Sequence, residues 1–190
     1  MALPQENGYT YADVLEWEDG TRYELVGGIP VMMSPPSRVH QKISGELYLQ
    51  IGNYLRGKKC EIYHAPFGVR LFEQDNDSPD DVDTLVEPDI TIVCDPNKLD
   101  AKGCKGAPDM VIEILSPATR KHDRLIKFGL YQRAGVKEYW IVDPESQMVM
   151  VHVMEEGQYP SPEVYTSKAN VPVSILEDFS VDLTSVFPEE

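Results

Sequence analysis

The chain has 190 residues, 42% hydrophobic and 26% charged, a balance ordinary for a folded globular protein. A formal net charge of −15 argues against loose nucleic-acid binding, which needs a basic face. A bound divalent cation would reverse the local field, so phosphate chemistry stays open. No apolar stretch approaches the roughly 20 residues of a membrane span. The start, Met1 to Gly8, has neither the basic nor the apolar part of a secretory signal. Cys60, Cys94 and Cys104 form no CxxC pair, which points to reduced thiols in a cytoplasmic protein.

In chain order, Thr10 followed by Asp13 predicts a capped short helix to about Trp17. Arg22 to Val26 and Ile29 to Met33 read as strands joined through the Gly27-Gly28 turn. Ser34-Pro35-Pro36-Ser37 then breaks the chain before the clearest helix, where Val39, Ile43, Leu47, Ile51 and Leu55 draw one apolar stripe. Cys60 to His64 and Phe67 to Phe72 are strand-like, and the acidic segment Glu73 to Thr84 is a solvated loop or edge hairpin tip. Two more apolar runs, Val86 to Val93 and Asp109 to Leu115, flank a mobile connection at Asp95 to Pro108. Ser116 to Thr119 caps a helix from about Arg120 to Arg133, stopped at Gly135. A strand at Lys137 to Val142 and a hairpin partner at Gln147 to Val153 follow. In the tail, a strand near Glu163 to Thr166 and a turn at Leu183 to Phe187 complete a single domain over residues 1–190. The strand at Glu113, the helix after it and the strand at Lys137 form a crossover unit, hence a parallel pair. Tyr139 is expected in the core and Trp140 on the surface.

Carboxylates amid Ile, Val and Met need a compensating charge. Asp89 and Glu113 end two such runs. On neighbouring strands, about 4.8 Å apart, both could reach one Mg²⁺, which takes one or two carboxylates with water and substrate oxygens. The alternative is two strand-end acids paired with Arg or Lys. Asp123, Lys127 and Tyr131 share one helical stripe, with Ile126, Leu130 and Ala134 beside it to dock on the sheet. Lys127 could thus reach the carboxylates, orient an attacking water and offset transition-state charge, or simply pair with Asp123 at the surface. Glu24 could join the cluster or pair with Arg22 or a lysine. His40 could meet a phosphate or start the long helix, and Tyr131 could tether its hydroxyl to a site carboxylate while packing its ring. His64, His122 and His152 lack metal-ligand spacing, and there is no P-loop, Rossmann fingerprint or GxSxG elbow.

Four segments, Tyr23 to Gly28, Glu87 to Ile90, Val111 to Pro117 and Gly135 to Pro144, resemble the Uma family of the restriction-endonuclease-like, PD-(D/E)xK superfamily. They stand in the family's order from about Thr10 to the chain end. Pro88-Asp89 falls at the motif's PD and Glu113 at its D/E, but Leu115 stands where the motif has lysine. The resemblance implies that Lys127, on the following helix, takes that role, and that the Ile114 carbonyl joins Asp89 and Glu113 as a metal ligand. It also implies an α/β fold with a central mixed β-sheet flanked by helices, Mg²⁺ (with Mn²⁺ as substitute) as cofactor and DNA as substrate. Since duplex cutting calls for two sites, a homodimer is expected. The rival expectation is a catalytically inactive binding or regulatory module on the same fold.

Overall fold

The computed structural model describes residues 8–17, 21–116 and 122–187, with side chains from Leu125 onward in the last range. The predicted cap at Pro117 to Thr119, the side chains of His122 and Asp123, and the terminal acids Glu189 and Glu190 lie outside them. The elements run α1 (Tyr11–Leu15), β1 (Tyr23–Val26), β2 (Ile29–Met32), α2 (Arg38–Leu55), β3 (Glu61–His64), β4 (Val69–Arg70), β5 (Leu85–Val86) and β6 (Ile90–Val93). They continue with β7 (Leu99–Asp100), β8 (Gly103–Lys105), β9 (Met110–Ile114), a π-helical turn at His122–Lys127, and α3 (Phe128–Ala134). Last come β10 (Glu138–Asp143), β11 (Met148–Val153), β12 (Glu163–Thr166), β13 (Asn170–Pro172) and β14 (Ser180–Asp182).

A central six-stranded mixed sheet runs β12-β11-β10-β9-β6-β3, and a second six-stranded sheet runs β2-β1-β5-β4-β8-β7. Within the first, β9 and β10 are parallel, as a crossover requires. Its even-numbered residues Ile90, Ile92, Ile112 and Ile114 face the α2 stripe of Ile43, Leu47, Ile51 and Leu55, together with the C-terminal segment. Its odd-numbered Val93, Val111 and Leu115 face α3 and the second sheet. The helices therefore flank the central sheet as expected. Among the described residues, no helix is long and apolar enough to cross a membrane.

Local chemistry explains the boundaries. Thr10 N–H donates to Asp13 Oδ2 at 2.8 Å, closing the cap of α1. Gly27 and Gly28 have φ of 54° and 77°, the two left-handed residues a tight hairpin turn needs. Gly135, φ 84°, ends α3 with its N–H on the carbonyls of Tyr131 and Gln132.

Several expectations are corrected. The Asp95–Pro108 connection is structured: β7 and β8 pair within it and extend the second sheet. Trp140 is fully buried rather than a surface cover, because β10 is covered on both faces, and its Nε1–H donates to buried Glu138 at 2.7 Å. Cys60 and Cys94 are joined as a disulfide, leaving Cys104 as the free cysteine. The register explains this: Glu61 opposes Val93 across β3 and β6, so the next pair outward is Cys60 and Cys94.

Candidate active site

Asp89 and Glu113 converge through strand register. Ile90 opposes Ile112 in the antiparallel β6–β9 pair, so one step outward sets Asp89 across from Glu113. Asp89 Oδ2 accepts the Ile114 amide N–H at 2.8 Å and lies 3.1 Å from His40 Nε2. Ser37 positions His40: its Oγ caps α2 by accepting the His40 amide at 3.2 Å. These contacts fix the Asp89 carboxylate against the end of β9.

Glu113 is 3% exposed, and its Oε1 accepts from Lys127 Nζ at 2.9 Å and from Tyr131 Oη at 2.6 Å. The same ammonium lies 2.8 Å from Oε1 of Glu24, also buried. Glu24 in turn accepts the Glu87 amide at 2.9 Å, which ties β1 to the segment carrying Asp89. Burial, reinforced by the charges of Glu113 and Glu24, pushes the Tyr131 hydroxyl well above 10, so it stays a donor. Lys127 closes the π-helical turn, and such widened turns recur at functional sites. The turn also alters the helical register: Lys127, Leu130 and Tyr131 are buried while Ile126 is 47% exposed, so Ile126 does not dock on the sheet as its spacing suggested.

These side chains open into a cleft of about 1180 Å³ bounded by β2, the Met33–Ser37 segment, the start of α2, the ends of β3 and β9, and Pro144 with Glu145. Every candidate read from the sequence lines it or touches a residue that does: Glu24, His40, Asp89, Glu113, Ile114 and Lys127 line it, and Tyr131 is bonded to Glu113. Other lining groups were missed, Glu145 among them. Glu87, ion-paired with Arg22, sits beside Pro88-Asp89 and could have been found by that adjacency. Tyr48 and His64 carried no sequence signal, because only the packing of β3 beside α2 brings their rings together.

No group of three or more His, Cys, Asp or Glu able to hold a metal occurs among the described residues. The donors that the resemblance implies for a hard cation, the carboxylates of Asp89 and Glu113 and the Ile114 carbonyl, belong to residues that line this one cleft. That set fits Mg²⁺, which keeps several waters and binds through one or two carboxylates plus substrate oxygens. Asp89 Oδ2 accepts from the Ile114 amide beside His40, and Glu113 Oε1 accepts from Lys127 and Tyr131, which fixes both carboxylates in place.

Known proteins share the sequence pattern and the fold of this chain. Residues 11–184 match the family model described as "Uma2: Putative restriction endonuclease". An uncharacterised protein, slr1290 of Synechocystis sp., is 28% identical over 151 residues, covering 77% of this chain and 75% of its own. The crystal structure of a "putative nuclease belonging to DUF820" from Anabaena variabilis ATCC 29413 superposes with a TM-score of 0.73 at 21% identity, covering 94% of this chain and 97% of the other. That likeness establishes a shared α/β fold, consistent with the restriction-endonuclease-like architecture.

Proposed function

This chain belongs to the Uma2 family, and from that premise we propose that it is a Mg²⁺-dependent endonuclease hydrolysing DNA phosphodiester bonds. The observation that carries the reading is the Lys127 ammonium, 2.9 Å from Glu113, in one cleft with Asp89. Asp89, Glu113 and the Ile114 carbonyl would hold Mg²⁺, with Mn²⁺ as a substitute. When bound, the ion supplies a water of lowered pKa and polarises the scissile phosphate. Lys127 orients the attacking water and offsets charge that builds on the phosphate oxygens. Tyr131 keeps Glu113 in its rotamer, and His40 with the Ile114 amide does the same for Asp89. Glu24 balances the ammonium from the other side.

Closed circular DNA, double- and single-stranded, tests the reading. The parent protein should nick it with Mg²⁺ and not with EDTA. Asp89→Ala and Glu113→Ala should abolish nicking in folded protein, and Lys127→Ala should slow it severely. Variants that cut like the parent would overturn the assignment.

A second reading, a catalytically inactive binding or regulatory module, is favoured by Leu115 at the motif's lysine position and by the sharing of Lys127 between two carboxylates. Titration calorimetry with Mg²⁺ separates the two, since the inactive module should take up no ion at Asp89 and Glu113.

A further inference from the structure

We propose that the cleft takes an unpaired, single-stranded segment of DNA, its bases seated on the apolar and aromatic wall beside the carboxylates. This rests on the nuclease reading above and specifies its substrate.

The described lining residues include five carboxylates, Glu24, Glu87, Asp89, Glu113 and Glu145. Against them stand two permanent cations, Arg22 and Lys127, both ion-paired to members of that set. Duplex binding draws its affinity chiefly from Lys and Arg neutralising phosphates along both strands. A wall of this sign supplies that neither to a duplex nor to a single strand, whose phosphates carry the same charge per nucleotide, so the two are told apart by contact surface. What it offers instead is contact surface: Met32, Met33, Pro35 and Pro36, together with Tyr48 and His64. Met32 is 67% exposed, a large apolar side chain left in water beside a polar site.

The Tyr48 and His64 rings meet edge to face with centroids 5.1 Å apart, and His64 Nδ1 is tied to the Ala65 carbonyl at 2.9 Å. A Cβ added at Gly45, on the preceding turn of α2, would meet nothing within 4 Å, so the cleft wall is open at that position. Aromatic platforms of this kind stack bases of any sequence, provided the base faces are exposed. In a duplex those faces are covered by neighbouring pairs. In a single strand they are available. At about 1180 Å³ the cleft also exceeds the roughly 300–1,000 Å³ of a small-molecule site, as an extended chain requires. One active site per cut then suffices, and the pairing of copies that duplex cleavage calls for is not required.

The test is fluorescence anisotropy with a labelled oligodeoxynucleotide, alone and annealed to its complement, using Ca²⁺ in place of Mg²⁺. The single strand should bind at least about tenfold more tightly than the duplex. Tyr48→Ala should cost the single strand about tenfold, the loss of roughly one stacked base, while Tyr48→Phe should keep parental affinity. Met32→Ser, at an exposed position that leaves folding untouched, should weaken single-strand binding and leave the duplex unchanged. Duplex bound as tightly as single strand, binding of neither, or indifference to both wall substitutions overturns the inference. Parallel cleavage in Mg²⁺ keeps the two readings apart. Duplex cut as fast as single strand sinks this inference and leaves the nuclease. Preferential binding of single strand without cutting upholds the occupant and sinks the catalysis.

Discussion

Lys127 Nζ lies 2.8 Å from Glu24 Oε1, joining the turn before α3 to a strand of the second sheet at a point where both side chains are buried. The same ammonium contacts Glu113, so one cation separates two buried carboxylates drawn from different sheets. Removing one member of such a group leaves charge buried without compensation. Lys127→Ala should therefore cost about 3–5 kcal/mol of stability, in addition to slowing catalysis. Urea unfolding checks it, and adding Glu24→Gln to Lys127→Ala should recover part of the loss. A single variant as stable as the parent would mean that the ammonium does not hold the two sheets together.

Mg²⁺ at Asp89 and Glu113 would bind the folded chain alone, so it should raise the melting temperature. At a hundredfold excess over its dissociation constant the gain is about 2.7 kcal/mol. Differential scanning calorimetry should show the upward shift in the parent protein and none in Asp89→Ala. Equal shifts in both proteins would place the ion elsewhere.

Much of this site is written locally. The stripe of α2 and the apolar run of β9 that carries Glu113 are short-range patterns, and the structure realises both. The run read from Val86 to Val93 is instead split, with Leu85–Val86 in one sheet, Ile90–Val93 in the other and Asp89 in the break between them. What escaped was nonlocal or broke a period. Trp140 looked solvent-facing because alternation assumes one wet face, whereas β10 is buried at all six positions. Ile126 looked buried because a period of 3.6 was carried through a turn that is π-helical. That Glu24 takes Lys127, rather than Arg22, depends on the second sheet docking over α3. Its strands β4, β5 and β7 are two residues long, too short to show a pattern.

Asp109 anchors the start of β9 by accepting from Cys94 N–H and Lys137 Nζ, each at 2.7 Å. Burial alone would raise its pKa, but Lys137 and the Cys94 amide outweigh that and hold it below the ordinary 3.8. A carboxyl depressed in the folded state adds stability that is complete above its unfolded pKa and disappears as pH falls through the folded one. Asp109→Asn should thus cost about 1–2 kcal/mol near neutrality, with the gap to the parent closing as pH drops below 3.8. Chemical denaturation across that range provides the curve. A gap that persists unchanged at low pH would assign the loss to packing.

The Cys60–Cys94 bridge fastens the edge strand β3 to β6, the strand that begins one residue after Asp89. It spans 34 positions of sequence, and in the chain-entropy account closing a loop of that length contributes about 4 kcal/mol. Reduction, or Cys60→Ser with Cys94→Ser, should lower stability by about that amount. The remaining thiol, Cys104, is buried and pushed up to about 11 by that burial, so it should resist thiol reagents in the native protein. Titration of denatured, unreduced chain should therefore count one thiol, against three after reduction. Three thiols without reductant would show the pair open, and would transfer the fastening of β3 entirely to its backbone ladder with β6.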